Sequence, residues 1–577
     1  MKLILHYLKR YKKLFILNII SVFGFALVEL GIPAIIADMI DIGVQEQNTD
    51  YLMRMGLVIL AISLIGTAGV ILLGYCCAKI STSITRDIRN DIFDKAQKFT
   101  AYEFNSFGIS SMITRTNNDA YQIQLFVNVI LRTALLTPVM CIASFAMTAR
   151  ASLPLSGIIA ATIPFIIGGV ILVAHYSKPI SENQQASLDG LNRISRENLS
   201  GIRVIRAFDN DAYEQNRFDE TNHAFTGYSK KMFKLMSMTQ PIFFMLMNIA
   251  GLCIYWVASL LIANGNLPVG QLVAFMDYLF HAMLSVMLFC TVFMMYPRAA
   301  VSAHRIQEVF DRDPLIHNPD QGVMNGKEEG TIRFDHVTFV YPDGEEPVLK
   351  DVSFEAKKGE TIAFIGSTGS GKSTLVNLIP RFYDVSSGAI YIDGIDIRDY
   401  DIMKLRSKLG VIPQKAMLFS GTIADNIRFG KPDATLEEVE HAARVAQGYD
   451  FIMEKEHGFE EEITEGATNV SGGQKQRLSI ARALVRRPDI YVFDDSFSAL
   501  DFKTDAILRK ELKKETRESI VMVVAQRIST IMDADRIVVL NEGNVIGTGT
   551  HKELLKSCQI YHEIALSQLS EEELAYE

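Results

Sequence analysis

The sequence predicts two domains in series: an all-α domain of six long apolar helices, then an α/β domain built around a phosphate-binding loop. Three observations carry this. Six apolar stretches crowd the first half, each close to the roughly 20 residues a helix needs to cross hydrocarbon. Beyond residue 330, short strand-like runs alternate with helix-patterned ones, the pattern of an α/β layer structure. A glycine-rich loop ending in Lys-Ser stands between one such strand and the next helical run. The expected boundaries are 1–311 for the membrane domain, 312–330 for a linker and 331–577 for the α/β domain.

Of the 577 residues, 49% are apolar, too greasy for an ordinary soluble protein of this length. The apolar stretches run Leu14–Ala37, Gly56–Cys77, Phe126–Met147, Pro154–Ala174, Pro241–Ala263 and Gln271–Tyr296. Backbone polar groups cannot go unpaired in lipid, so these stretches must be helical. The first is too long for a signal-peptide core, and no small-residue cleavage site follows it. The six cysteines show no metal-ligand spacing and read as small core residues.

Charge sets the orientation. Lys and Arg gather at the N-terminus (Lys9, Arg10, Lys12, Lys13), after the second stretch (Arg86, Arg89, Lys95, Lys98) and after the fourth (Arg193, Arg196, Arg203, Arg206). The remaining connections are short and acidic or nearly uncharged. The positive-inside rule then predicts a multi-pass protein of the cell membrane with both termini in the cytoplasm. The two basic connections are long, helix-patterned and almost free of Gly and Pro. Loops of that length usually carry structure, so the spans are expected to continue into the cytoplasm and turn near Asn105–Asn117 and Ile202–Asp211. Net charge is −9, with acidic residues dominating the second half, which argues against a nucleic-acid partner. The polar segment Arg312–Gly330, with two Pro and three Gly, reads as the linker.

The phosphate loop is Gly366, Ser367, Thr368, Gly369, Ser370, Gly371, Lys372, Ser373 and Thr374, after the predicted strand Thr361–Ile365. Its glycines let backbone N–H groups wrap phosphates, and the helix start adds partial positive charge. Lys372 is placed to reach the β/γ-phosphates of ATP, and the Ser373 hydroxyl to ligate Mg²⁺. Ile490–Phe493 is a buried-strand pattern closed by Asp494, an acid positioned to hold Mg²⁺ through water.

Val470-Ser-Gly-Gly-Gln474-Lys-Gln-Arg477 resembles the signature motif of ABC transporter ATPases. The other elements of that family's set follow in order: Tyr341 where an aromatic stacks on adenine, Gln414 in the Q-loop, Ser498-Ala-Leu-Asp501 as the D-loop and Gln526 at the switch position. The resemblance spans the chain, since six spans before one ATPase domain is the half-exporter layout. It implies ATP and Mg²⁺ as cofactors, with Ser373, Gln414 and Asp494 on the metal. It also implies a sandwich of two ATPase domains in which each ATP lies between one chain's phosphate loop and the other's signature motif, here Ser471, Gly472, Gly473 and Gln474. Ser471 and the glycine amides suit close approach to a γ-phosphate, because only glycine leaves room for the backbone.

Two positions depart from the family pattern. Active members carry Glu after the metal acid, and this chain has Asp495, one methylene shorter. The switch His is Gln526, a neutral amide. A misplaced group near the reacting atoms costs orders of magnitude. The pair resembles the degenerate-site subunit of heterodimeric bacterial ABC exporters. The expected function is therefore ATP-driven export of amphipathic or hydrophobic compounds, by a weak ATPase in isolation that pairs with a different half-exporter subunit. A homodimeric slow exporter and an ATP-gated channel or regulator are the alternatives. Inside the spans, Glu29, Asp277 and His281 are ionisable, and Asp277 and His281 share a helix face. They either line a cavity that meets cationic substrates or pair with one another or with backbone to hold the bundle.

Overall fold

The computed structural model describes residues 2–569 apart from 320, 325 and 327–329 and the side chains of 170 and 290. It divides into two compact units, Met1–Gln97 with Phe107–Arg312, and Lys98–Ser106 with Asp313–Glu577.

The first unit holds six helices long and apolar enough to cross a membrane: Lys2–Val44, Thr49–Ala96, Ile109–Ala151, Leu153–Ala207, Asp211–Ala263 and Val269–Asp311, here spans one to six. Each contains one predicted apolar stretch and runs well past it. Span four has 55 residues, about 80 Å of helix at 1.5 Å per residue against roughly 30 Å of hydrocarbon. The excess accounts for the long basic connections, which are helix rather than loop. The chain turns at Gly108, where φ is +77°, and at Phe208–Asn210, both within the predicted turns.

Specific contacts set how the spans pack. Asp41 Oδ1 accepts from the Gly270 amide at 2.7 Å, tying the end of span one to the start of span six. A Cβ on Gly270 would stand 2.2 Å from the Ala37 carbonyl oxygen, so only glycine fits. Tyr278 donates to the Leu30 carbonyl at 3.1 Å. Ala26, Leu30, Met140, Ala274 and Tyr278 pack spans one, three and six together, while Ile159, Phe243, Ile254 and Phe275 pack four, five and six. Much apolar surface stays outward, including Leu60, Leu64, Ile71, Leu252 and Trp256, as lipid contact allows and water does not. Cys253 shares that outward face and is exposed, unlike the buried Cys76, Cys77 and Cys558, so the core reading of cysteine fails there; the reading of Cys290 lies outside the described residues.

Span three is irregular. Residues Ile130–Ala134 form a π-helical turn, four residues before Pro138. Proline has no N–H to bond the Ala134 carbonyl, which loosens the turn. The buried Asn18 of span one donates to the Leu131 carbonyl at 3.0 Å and accepts from the Cys77 thiol at 3.2 Å, so it binds the turn to spans one and two.

The second unit holds two main sheets. β1 (Thr331–Phe339), β2 (Leu349–Lys357), β4 (Ser387–Ile392) and β5 (Ile395–Asp396) form an antiparallel sheet in the order β2-β1-β4-β5. β3 (Thr361–Gly366), β6 (Leu409–Ile412), β9 (Ile490–Asp494), β10 (Ile520–Val524), β11 (Arg536–Asn541) and β12 (Asn544–Gly549) form the other, ordered β12-β11-β3-β10-β9-β6. β7 (Gly421–Thr422) and β8 (Glu462–Ile463) make a small separate pair. All neighbours in the six-stranded sheet are parallel except the edge pair β11–β12. Every residue of β9 and β10 is buried, as parallel strands covered on both faces should be. The C-terminal ends of β3, β10 and β9 lie side by side, where open parallel sheets bind ligands. Part of the 312–330 segment is docked on this unit: Val323 bridges to Tyr400, and Asn318 bonds both Asp401 and the Ile402 amide. Glu103 is fully buried and accepts from Thr100 and from the Leu315 amide, which joins Lys98–Ser106 to the same body.

Candidate functional site

From the end of β3 the chain turns through 366–371 into the helix Lys372–Leu378. A Cβ on Gly366 would lie 2.0 Å from the Leu540 carbonyl oxygen, so β11 approaches too closely for any side chain. Gly371, with φ at +97°, would also drive a Cβ to 2.7 Å from Leu349 Cδ2. The Lys372 ammonium stands inside the loop and donates to the Gly366 and Ser367 carbonyls at 2.8 and 2.7 Å, and to Ser370 Oγ at 3.3 Å. Burial pulls its pKa below the usual lysine range, opposed by Asp495 and Asp494.

β9 ends at the acids. Asp494 Oδ1 accepts from Ser373 Oγ at 2.9 Å. Burial pushes the Asp494 carboxyl above the ordinary range, with the serine bond working against the shift. Asp495 follows with φ at +47°, left-handed backbone that Asp tolerates better than most residues. Its Oδ2 accepts from Gln414 Nε2 at 3.1 Å and from Gln526 Nε2 at 2.8 Å. Burial again raises this carboxyl, and the two amides oppose it. Tyr341 bonds Thr374 Oγ1 through its hydroxyl at 2.9 Å and packs edge-on against Phe339 and Tyr383. The structure thus brings together Tyr341, the loop 366–374, Gln414, Asp494, Asp495 and Gln526.

Among the described residues, no hydrogen bond or ion pair links Ser471, Gly472, Gly473, Gln474 or Asp501 to that group. Ser471 caps the helix Gly472–Leu484: its Oγ accepts from the Gln474 amide at 3.3 Å, and Gln474 Oε1 accepts from the Ser471 amide at 3.0 Å. A Cβ on Gly473 would approach the Ala499 carbonyl oxygen at 3.2 Å, whereas one on Gly472 meets nothing within 4 Å. Asp501 caps the helix Phe502–Glu515 by accepting from the Thr504 amide, which lowers its pKa.

In the membrane unit, Glu29 and His281 meet across spans one and six, Oε2 to Nε2 at 3.5 Å. Both line a cavity of about 430 Å³ between spans one, two, three and six. Asp277 is exposed on span six and is not among the residues lining it. Two residues escaped the sequence reading. Arg132 lines the same cavity; its signal was available, a charge inside the stretch Phe126–Met147. Gln568 accepts from the Ile528 amide at 2.8 Å and donates to the Gln526 carbonyl at 2.7 Å, so it holds the backbone at Gln526. No sequence pattern marks that contact.

Comparison with known proteins agrees with this architecture. The ABC transporter transmembrane region family matches residues 15–287, and the ABC transporter family matches 349–498. The uncharacterized ABC transporter ATP-binding protein YfiB of Bacillus subtilis is 36% identical over 568 residues, covering 98% of each chain. A second B. subtilis relative, "Putative multidrug export ATP-binding/permease protein YgaD", is 32% identical over 96% of this chain and 97% of its own. A solved bacterial Atm1-family ABC exporter with ATP bound shares the fold, with a TM-score of 0.81 over 97% of this chain and 99% of that one at 23% identity. The chain belongs to the ABC transporter family, as a half-exporter that joins six membrane-spanning helices to its own ATP-hydrolysing domain.

Proposed function

We propose that this chain is the degenerate-site half of a heterodimeric exporter that moves amphipathic or hydrophobic compounds out across the cell membrane, both termini lying in the cytoplasm. The loop 366–374 cradles the ATP phosphates with Lys372 as their cation, and Tyr341 stacks on adenine. Ser373 Oγ and Asp494 Oδ1, 2.9 Å apart, are the hard oxygen donors that suit Mg²⁺. With Gln414 they would hold the ion, which when bound offsets phosphate charge.

The observation that carries the asymmetry is Asp495. Its Oδ2 is engaged by two side-chain amides, neither of which can accept a proton from water. A general base must reach the water it activates, and this shortened, doubly engaged acid is poorly placed to do so. The signature motif supports a role in trans. Nothing among the described residues crowds Gly472, the first residue of its helix, so packing within this chain does not require glycine there, and the close backbone approach that glycine permits points to a reason outside this chain. A partner's ATP supplies it.

Steady-state ATPase measurement tests this. The isolated chain should bind ATP and turn it over very slowly, and the complex with a different half-exporter should be active. Asp495→Asn should cost that complex little. Brisk turnover by the isolated chain, abolished by Asp495→Asn, would establish a homodimer instead.

A further inference from the structure

We propose that the cavity between spans one, two, three and six binds the acidic group of an amphipathic substrate through Arg132. This deepens the export reading and rests on it. Arg132 sits on the π-helical turn Ile130–Ala134. Such turns are frequent at functional sites. This one is held by three groups: Pro138 removes a donor, and Asn18, itself bonded to Cys77, takes the Leu131 carbonyl. The turn presents Arg132 to the cavity.

The charges in the cavity are unequal in their engagement. Glu29 already faces His281 at 3.5 Å. Among the described residues, no hydrogen bond or ion pair engages Arg132. A guanidinium stays charged, and a charge at membrane depth is costly unless something answers it. The remaining lining is largely apolar, with Phe25, Leu73, Leu136, Met140 and Leu288 around it. The volume of about 430 Å³ lies within the range of small-molecule sites. An exposed, unengaged guanidinium on the wall of a largely apolar cavity fits a carboxylate or sulfonate on a hydrocarbon body. Glu29, with the His281 ring 3.5 Å from its Oε2, is the less open of the two groups to a ligand.

The test uses the purified full chain in nanodiscs, without ATP, and three dansyl-undecyl probes: the carboxylate, its methyl ester and the trimethylammonium analogue. The carboxylate should bind about ten-fold tighter than the ester, the gain of one charge-assisted contact. Arg132→Gln should remove that preference while leaving ester affinity unchanged, Arg132→Lys should keep part of it, and Glu29→Gln should not weaken the carboxylate. Equal binding of all three probes by the unaltered chain would overturn the proposal, and needs no variant to fold. Preference for the ammonium, lost in Glu29→Gln, would overturn it too, as would loss of all three probes in Arg132→Gln. ATP-driven uptake of the ester into inside-out vesicles that hold the complex with the partner half-exporter, measured separately, tests export itself. Its failure alongside a carboxylate preference would count against transport and not against the Arg132 site.

Discussion

Replacing Ser471 by Asp separates the signature motif's structural work from its chemical work. In the structure Ser471 does one visible thing: it caps a helix through a reciprocal pair with Gln474. Loss of such a cap costs about 1 kcal/mol. Aspartate caps as well as serine does, and a negative charge is favoured at a helix N-terminus. The thermal midpoint of Ser471→Asp should therefore stay within about 2 °C of the unaltered chain. In the proposed assembly the same side chain faces the partner's ATP. A carboxylate about 4 Å from a phosphate charge, at an effective dielectric of 20, meets repulsion of about 4 kcal/mol. That is roughly a thousand-fold in turnover, far beyond anything the cap could account for. Ser471→Arg should also stop turnover, by bulk, but it sacrifices the cap and so is the less discriminating variant. The assay is steady-state ATPase of the co-purified complex, paired with thermal melts of both preparations. Turnover within a few-fold of normal at an unchanged midpoint would refute the trans role of Ser471.

Lys372→Ala should abolish measurable ATP binding by the isolated chain, and Tyr341→Ala should weaken it by roughly 1–3 kcal/mol, the worth of one aromatic–base stack; equilibrium binding of a fluorescent ATP analogue reads both, and unchanged affinity in the two would remove the site assignment. For Asp494 the sign of the pH effect follows from burial. Its carboxyl titrates above the ordinary range in the folded state, so the folded state holds that proton more tightly than the unfolded chain. The stabilisation from the protonated acid is complete below the unfolded value and is lost as pH rises through the folded one. Asp494→Asn, which cannot ionise, should raise the nucleotide-free thermal midpoint at neutral pH, with the gain shrinking toward about pH 4, the ordinary aspartate value. The same variant should lose the extra stability conferred by ATP and Mg²⁺. A midpoint lowered equally at both pH values would contradict the burial argument.

Composition and pattern alone determined the six spans, because hydrocarbon thickness and backbone satisfaction leave a helix of about 20 apolar residues as the sole solution for each stretch. They marked the ATPase domain too, because the phosphate loop 366–374 is a contiguous motif between a strand and a helix that can be read along the chain. The resemblance of those motifs to the family's set is what marks Asp495 and Gln526 for the proposed asymmetry, since identity at a motif position is a one-dimensional fact. The pairings between elements were decided only by the tertiary structure. Helical spacing placed Asp277 and His281 on one face, but His281 turned out to meet Glu29 of another span, while Asp277 lies outside the cavity. Spacing along a helix constrains neighbours on that helix and says nothing of which span its face meets. In the same way, two amides from separate loops converge on one oxygen of Asp495. Gln568 reaches back to the Gln526 carbonyl, and Asn18 of span one bonds the Leu131 carbonyl beside Arg132. Each of these depends on strand order, helix rotation and close packing, quantities that arise from the whole chain's burial and that no single segment contains.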